Sequence, residues 1–129
     1  MIAYEKFTAW KAAHQLALEI YAVSDHWPIS ERYQLTAQVR RAVLSVPANI
    51  AEGAAKRGRK EFRRYLDIAN GSLAELTYLL HFTRDRGLIT PEIFEKLHGL
   101  KEDASKLTWK LYLSLAPNSP HQPPDCRTV

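Results

Sequence analysis

Six residues, Phe62, Leu66, Ala69, Leu73, Leu76 and Leu80, follow one another at spacings of four, three, four, three and four. At about 3.6 residues per turn this repeat puts all six side chains on one face of a helix, whereas a strand would scatter them over both faces. So apolar a face must be buried against partners, and three further stretches supply them. Phe7, Trp10, His14, Ala17 and Tyr21 share a stripe on a first helix from Tyr4 to Asp25, with Ala13, Leu16, Ile20, Val23 and Trp27 beside it. A second helix offers Leu35, Val39, Ala42 and Val46, and a fourth offers Ile93, Leu97, Leu100, Ala104, Leu107 and Leu111.

Local signals punctuate the stripes. Trp27-Pro28 stops the first helix, because the residue before proline is pushed out of the helical region. Ser30 is placed to cap the second, with Glu31 in its first turn at the positive end of the dipole. Pro47 falls inside that helix and predicts a kink rather than an end, since Ile50 and Ala51 continue the apolar spacing. Gly58 is expected to close it. The third helix then runs from about Arg59 to Arg86 with Gly87 as its C-terminal cap, and Thr90 with Pro91 opens the fourth. The expected fold is all-α: an up-down antiparallel four-helix bundle over residues 1–116. Residues 117–129 hold Pro117, Pro120, Pro123 and Pro124 with scarcely any apolar material, and are expected to form a disordered tail.

Glycine inside a helix costs about 1 kcal/mol relative to alanine, yet Gly53 and Gly71 both interrupt helical patterns, among Ala48, Ala51, Ala54, Ala55, Ala69 and Ala74. Close approach of a neighbouring helix is the expected reason; a hinge or a ligand contact is the alternative. The lone Cys126 can form no internal disulfide and cannot supply the paired thiolates of a structural zinc site, which fits a cytoplasmic protein. No stretch approaches the roughly 20 apolar residues that cross a bilayer, and Met1 to Trp10 alternates polar with apolar residues, unlike a secretory signal.

The formal net charge of +4 is unevenly spread. Arg40, Arg41, Lys56, Arg57, Arg59, Lys60, Arg63 and Arg64 face only Glu52 and Glu61 between residues 40 and 64, leaving +6 there and −2 elsewhere. On the third helix Arg59 with Arg63 and Lys60 with Arg64 stand four apart, off the apolar seam. A basic outer surface suits an anionic partner, RNA or DNA first among them, and Tyr65 is placed to add stacking beside Arg64. Replacing Arg59, Lys60, Arg63 and Arg64 by glutamine should therefore leave the fold intact. The bland alternative is a solvated face that serves solubility.

Searches for catalytic chemistry find nothing comparable. Glu95 and His98 form one Glu-x-x-His motif where a di-metal bundle needs two, and they sit off the seam, so no metal is expected. His14 and His81 have no nucleophile and carboxylate arranged with them and are expected to pack at the core edge. No phosphate-binding loop or dinucleotide fingerprint is present.

The string Leu35-x-x-Gln38-x-Arg40-Arg41-Ala42-x-x-Ser45-Val46-Pro47-Ala48-Asn49-Ile50-Ala51-Glu52-Gly53, followed by Phe62, Leu66, Ile68-Ala69 and Gly71-Ser72-Leu73-x-Glu75-Leu76, resembles the small bacterial intervening-sequence proteins. Their name comes from reading frames within insertions of large-subunit ribosomal RNA genes, and the similarity spans about Tyr4 to Leu115. The resemblance implies a four-helix protomer in a ring-shaped homopentamer. It also implies kinship with the accessory protein of diversity-generating retroelements, a basic barrel that binds reverse transcriptase and nucleic acid. It implies no enzymatic activity, and no cofactor is expected. Asn49, Glu52, Ser72 and Glu75 are polar groups flanking the small-residue crossing, where they could satisfy one another or pair with Arg40 or Arg41. The wide apolar face of the first helix adds a physical reason to expect a homo-oligomer.

Overall fold

The computed structural model describes residues 3–117, and these are helical with no strand among them. After a short 3-10 turn at Ala3–Lys6 come α1 (Thr8–Ser24), a second 3-10 turn at Ile29–Glu31, α2 (Leu35–Ala54), α3 (Arg59–Asp85) and α4 (Pro91–Ser114). Each helix packs against the ones next to it in sequence, and α4 returns to α1, so the four surround one core. Its centre is Leu16, Ile20, Val39, Val43, Val46, Ile50, Leu66, Leu76, Leu80 and Leu97, all essentially without exposure. All six residues of the α3 seam are buried.

The third and fourth helices begin and end as their residues dictate. Gly87 takes φ +76°, its N–H donates to the Arg84 carbonyl at 2.9 Å, and the Leu88 N–H donates to the Thr83 carbonyl at 3.1 Å. This paired closure requires the left-handed conformation that glycine adopts without strain. Thr90 caps α4 by accepting the Ile93 N–H at 3.1 Å, with Pro91 as first helical residue.

Several expectations need correction. Ser30 does not cap α2: it lies inside the 3-10 turn, and α2 starts five residues later at Leu35, with Gln34 at the cap position and no side-chain capping bond. Pro28 sets an isolated turn here that the tryptophan-proline signal alone does not separate from a helix start. Gly58 does not close α2 either. That helix ends at Ala54, and Gly58, at φ +83°, stands at the entry to α3. Pro47 is buried and α2 continues through it.

The core stripe of α4 is Phe94, Leu97, Lys101, Ala104 and Thr108, so only Leu97 and Ala104 of the expected seam lie at its centre. Ile93, Leu100, Leu107 and Leu111 are half-buried along its edge. A search for apolar spacing passes over Lys101, whose aliphatic stem is buried while its Nζ donates to Glu102 Oε2 at 2.6 Å. That bond and the ammonium charge hold the Glu102 carboxyl below its ordinary value.

Gly53 and Gly71 part ways. A Cβ on Gly53 would stand 2.8 Å from Phe62 Cδ1 and 2.9 Å from Tyr65 Cβ, so the tight crossing of α2 and α3 is real. Gly71 is exposed with nothing within 4 Å of such an atom, so no helix of its own protomer explains it. The wide face of α1 is also absorbed internally: Ile20 is buried, and Trp10, Tyr21 and Trp27 pack half-buried against the core. Residues 118–129, which hold all but Pro117 of the expected tail, lie outside the described residues.

Candidate nucleic-acid interface

Lys56 and Arg57 stand between the end of α2 and Gly58; Arg59, Lys60, Arg63 and Arg64 occupy the first turns of α3. Five of the six are exposed. The exception is Arg63, whose guanidinium lies over the Tyr112 ring at 4.0 Å with Nε and one Nη inaccessible to solvent and without a hydrogen-bond partner. Arg63 is therefore packed between α3 and α4. The expectation that all four α3 cations can be replaced without touching the fold fails at this residue, because the seam counted on α3 alone does not see the ring supplied by α4.

Around Arg63 opens a cleft of about 560 Å³ lined by Arg59, Lys60, Arg64, Tyr112 and Leu115 among others. Arg59 reaches the Ser114 carbonyl at 3.5 Å, Arg64 reaches Glu61 at 3.4 Å, and Lys60 has no partner among the described residues. Tyr65 carries Arg64 on its ring at 4.8 Å and Lys56 at 5.4 Å.

The bundle adds residues that sequence spacing missed. Phe7 meets Phe62 at 5.5 Å between ring centroids, which brings the beginning of α1 to this end; exposed Lys6 sits over Phe7 at 5.3 Å. Lys110 lines a groove beside Phe7 and Thr8 at the same end. Lys6, Lys110 and Tyr112 join the basic end because the start of α1 and the end of α4 fold beside the start of α3.

Arg40 and Arg41 are not part of it. Arg41 stands 13 residues before the end of α2 at Ala54, roughly 20 Å away along the helix at the standard rise. Arg40 is committed within the fold: it donates to Ser24 Oγ at 2.8 Å, to the Tyr21 carbonyl at 3.2 Å and to Asp25 Oδ1 at 2.8 Å, and covers the Tyr21 ring at 4.4 Å. It clamps the C-terminus of α1 to α2.

Three of the four polar motif residues, Asn49, Ser72 and Glu75, have partners within the fold, though not those expected. Ser72 donates to Ser45 Oγ at 2.8 Å, and Asn49 Nδ2 donates to the Ser45 carbonyl at 2.7 Å and its Oγ at 3.0 Å. Glu75 accepts from Gln38 at 3.3 Å, not from Arg40 or Arg41, and Glu52 is exposed. His14 and His81 are both exposed rather than packed at the core edge; His14 stacks on Trp10 at 4.8 Å, and the His81 and His98 rings meet the Phe94 ring. Among the described residues no group of three or more His, Cys, Asp or Glu gathers, and no helix is long and apolar enough to cross a membrane.

The family model of the 23S rRNA-intervening sequence proteins matches residues 5–110, most of the chain and all of its core. The chain belongs to the 23S rRNA-intervening sequence protein family. A crystal structure of a protein of unknown function from the S23 ribosomal protein family of Bacteroides thetaiotaomicron VPI-5482 is similar to this member. It superposes with a TM-score of 0.75 at 22% identity, covering 81% of this chain and 94% of that one. At that identity the likeness is one of fold. No curated protein gives a significant match. Within this intervening-sequence protein, the family match spans both the Gly53 crossing and the Ser45-Asn49-Ser72 tie, so those motif residues have a structural task whatever the chain binds.

Proposed function

We propose that this intervening-sequence protein is a non-enzymatic oligomeric module that binds RNA or DNA, or a nucleoprotein partner such as a reverse transcriptase, through the basic end of its bundle. The observation that carries the reading is one end of the bundle where exposed Arg59, Lys60 and Arg64 line an open cleft, Lys56 and Arg57 stand exposed just before α3, and two tyrosine rings lie under guanidinium groups. Phosphates would settle on Lys56, Arg57, Arg59, Lys60 and Arg64, with bases able to stack near Tyr65. Such contacts set affinity with little base preference. In an up-down antiparallel bundle assembled as a ring-shaped homopentamer the surface would recur five times, and weak contacts would combine along one strand. The protein would work in the cytoplasm.

The test is a titration of long single-stranded RNA and DNA over a salt series, comparing the parent with K56Q/R57Q/R59Q/K60Q, which spares the packed Arg63. The variant should bind more weakly, with its salt slope flattened by roughly 0.7 for each phosphate of a single strand that it no longer neutralises. Equal binding by the two, or none by the parent, would replace this reading with a protein-interaction scaffold whose charges serve solubility.

A further inference from the structure

The outward faces of α2 and α3 each carry a second run of small and apolar residues at helical spacing. Opposite its core seam, α3 presents Ile68, Gly71, Glu75, Tyr78 and Phe82 at spacings of three, four, three and four. Ile68, Tyr78 and Phe82 are 42%, 65% and 40% exposed. Opposite its own core seam, α2 presents Ala37, Arg41, Leu44, Ala48, Ala51 and Ala55 at four, three, four, three and four, with Leu44 46% exposed. On α1 and α4 the exposed large apolar residues, Leu18 at 52%, Trp109 at 51% and Leu113 at 47%, are set among Lys11, His14 and Gln15 on α1 and Lys106 and Lys110 on α4. A second apolar seam at helical spacing has no occupant within the protomer.

From these faces we infer that the outer seam of α2 on one copy packs into the outer seam of α3 on the next, a head-to-tail contact between copies of this chain. The inference rests on the oligomeric part of the reading above and names the surfaces involved. The faces complement one another in size, since α3 offers large side chains around a glycine and α2 offers alanines around one leucine. They also complement one another in charge. When the helices run in opposite directions with Ala48 opposite Gly71, Arg41 falls beside Tyr78 and within one turn, about 5.4 Å along the axis, of Glu75. A parallel alignment would set Arg41 against Arg64 instead. Arg41 has no partner among the described residues of its own chain, and the open space over Gly71 is what a close second helix would fill. Because the two faces differ, each copy has one of each, and the contact can close into a ring.

Analytical ultracentrifugation of A48R and I68R, alone and mixed, tests this; both sites are exposed, so helicity by circular dichroism should match the parent. Expected are an oligomeric parent, two variants that each sediment near the 14.8 kDa protomer, and a one-to-one mixture that forms dimers, since each variant retains the face its partner lacks. Charge reversal supplies a second arm: R41E and E75R should each loosen the assembly and R41E/E75R should restore it. Either single variant keeping the parent's mass, or a mixture that stays monomeric, would overturn the assignment of faces and leave oligomerisation standing. A monomeric parent would remove both, while the nucleic-acid titration would still be decided separately.

Discussion

Replacing Gly53 by alanine sets two effects against each other. In a helix, alanine is favoured over glycine by up to about 1 kcal/mol; Gly53 lies in the last turn of α2, where the gain is smaller. Against it stands the crossing with α3: the new methyl would lie 2.8 Å from Phe62 Cδ1 and 2.9 Å from Tyr65 Cβ. The Phe62 ring can turn a little, but the Cβ of Tyr65 moves only with the α3 backbone, so the two helices must separate by several tenths of an ångström. Overpacking of this kind costs about 1–3 kcal/mol. Gly99 provides the internal control, because it sits mid-helix in α4, exposed, with nothing within 4 Å of where an alanine methyl would stand. G99A should therefore stabilise by up to about 1 kcal/mol, while G53A should fall below it by about 1–3 kcal/mol. Urea unfolding followed by circular dichroism at one fixed protein concentration measures both, the fixed concentration removing any contribution from association. Equal stability of the two variants within about 0.5 kcal/mol, below the smallest overpacking cost expected, would refute the claim that Gly53 is there for close approach.

Thr108 is fully buried with its hydroxyl unpaired, whereas Thr83, equally buried, donates to the Leu79 carbonyl at 2.6 Å. T108V should raise stability by about 1 kcal/mol and T83V should not, a contrast that thermal melts of the two variants check. Arg40→Met should lower stability by about 1–2 kcal/mol, because it removes charged hydrogen bonds to Ser24 and Tyr21, while Asp25→Asn at the exposed end of the ion pair should cost only a few tenths. Neither change should alter the salt slope of nucleic-acid binding, since Arg40 lies away from the basic end.

The family motif divides by physical task rather than by sequence position. Gly53 and Gly71 look alike in the sequence, each a glycine among alanines in a helical pattern, yet one is pressed against Phe62 and the other faces open space. The same holds for the cations: Arg40 is a clamp, Arg63 is packed on a ring and Lys60 is exposed. Composition and spacing count these residues as equivalent because neither registers what stands opposite a side chain.

Helical periodicity in the sequence was enough to determine four helices, the buried seam of α3, the Thr90-Pro91 start of α4 and the Gly87 stop, since each depends on interactions within a few residues along the chain. Family membership was legible there as well, in strings that hold the α2–α3 crossing together. The tertiary structure alone decided that Lys101 and Thr108 are buried on α4, that Arg63 is packed on a ring of α4, and that Lys6, Lys110 and Tyr112 join the basic end. Those outcomes depend on the rotation of each helix about its axis and on which helix ends meet. Rotation and docking are fixed by the summed packing of all four helices, a quantity that no single segment carries.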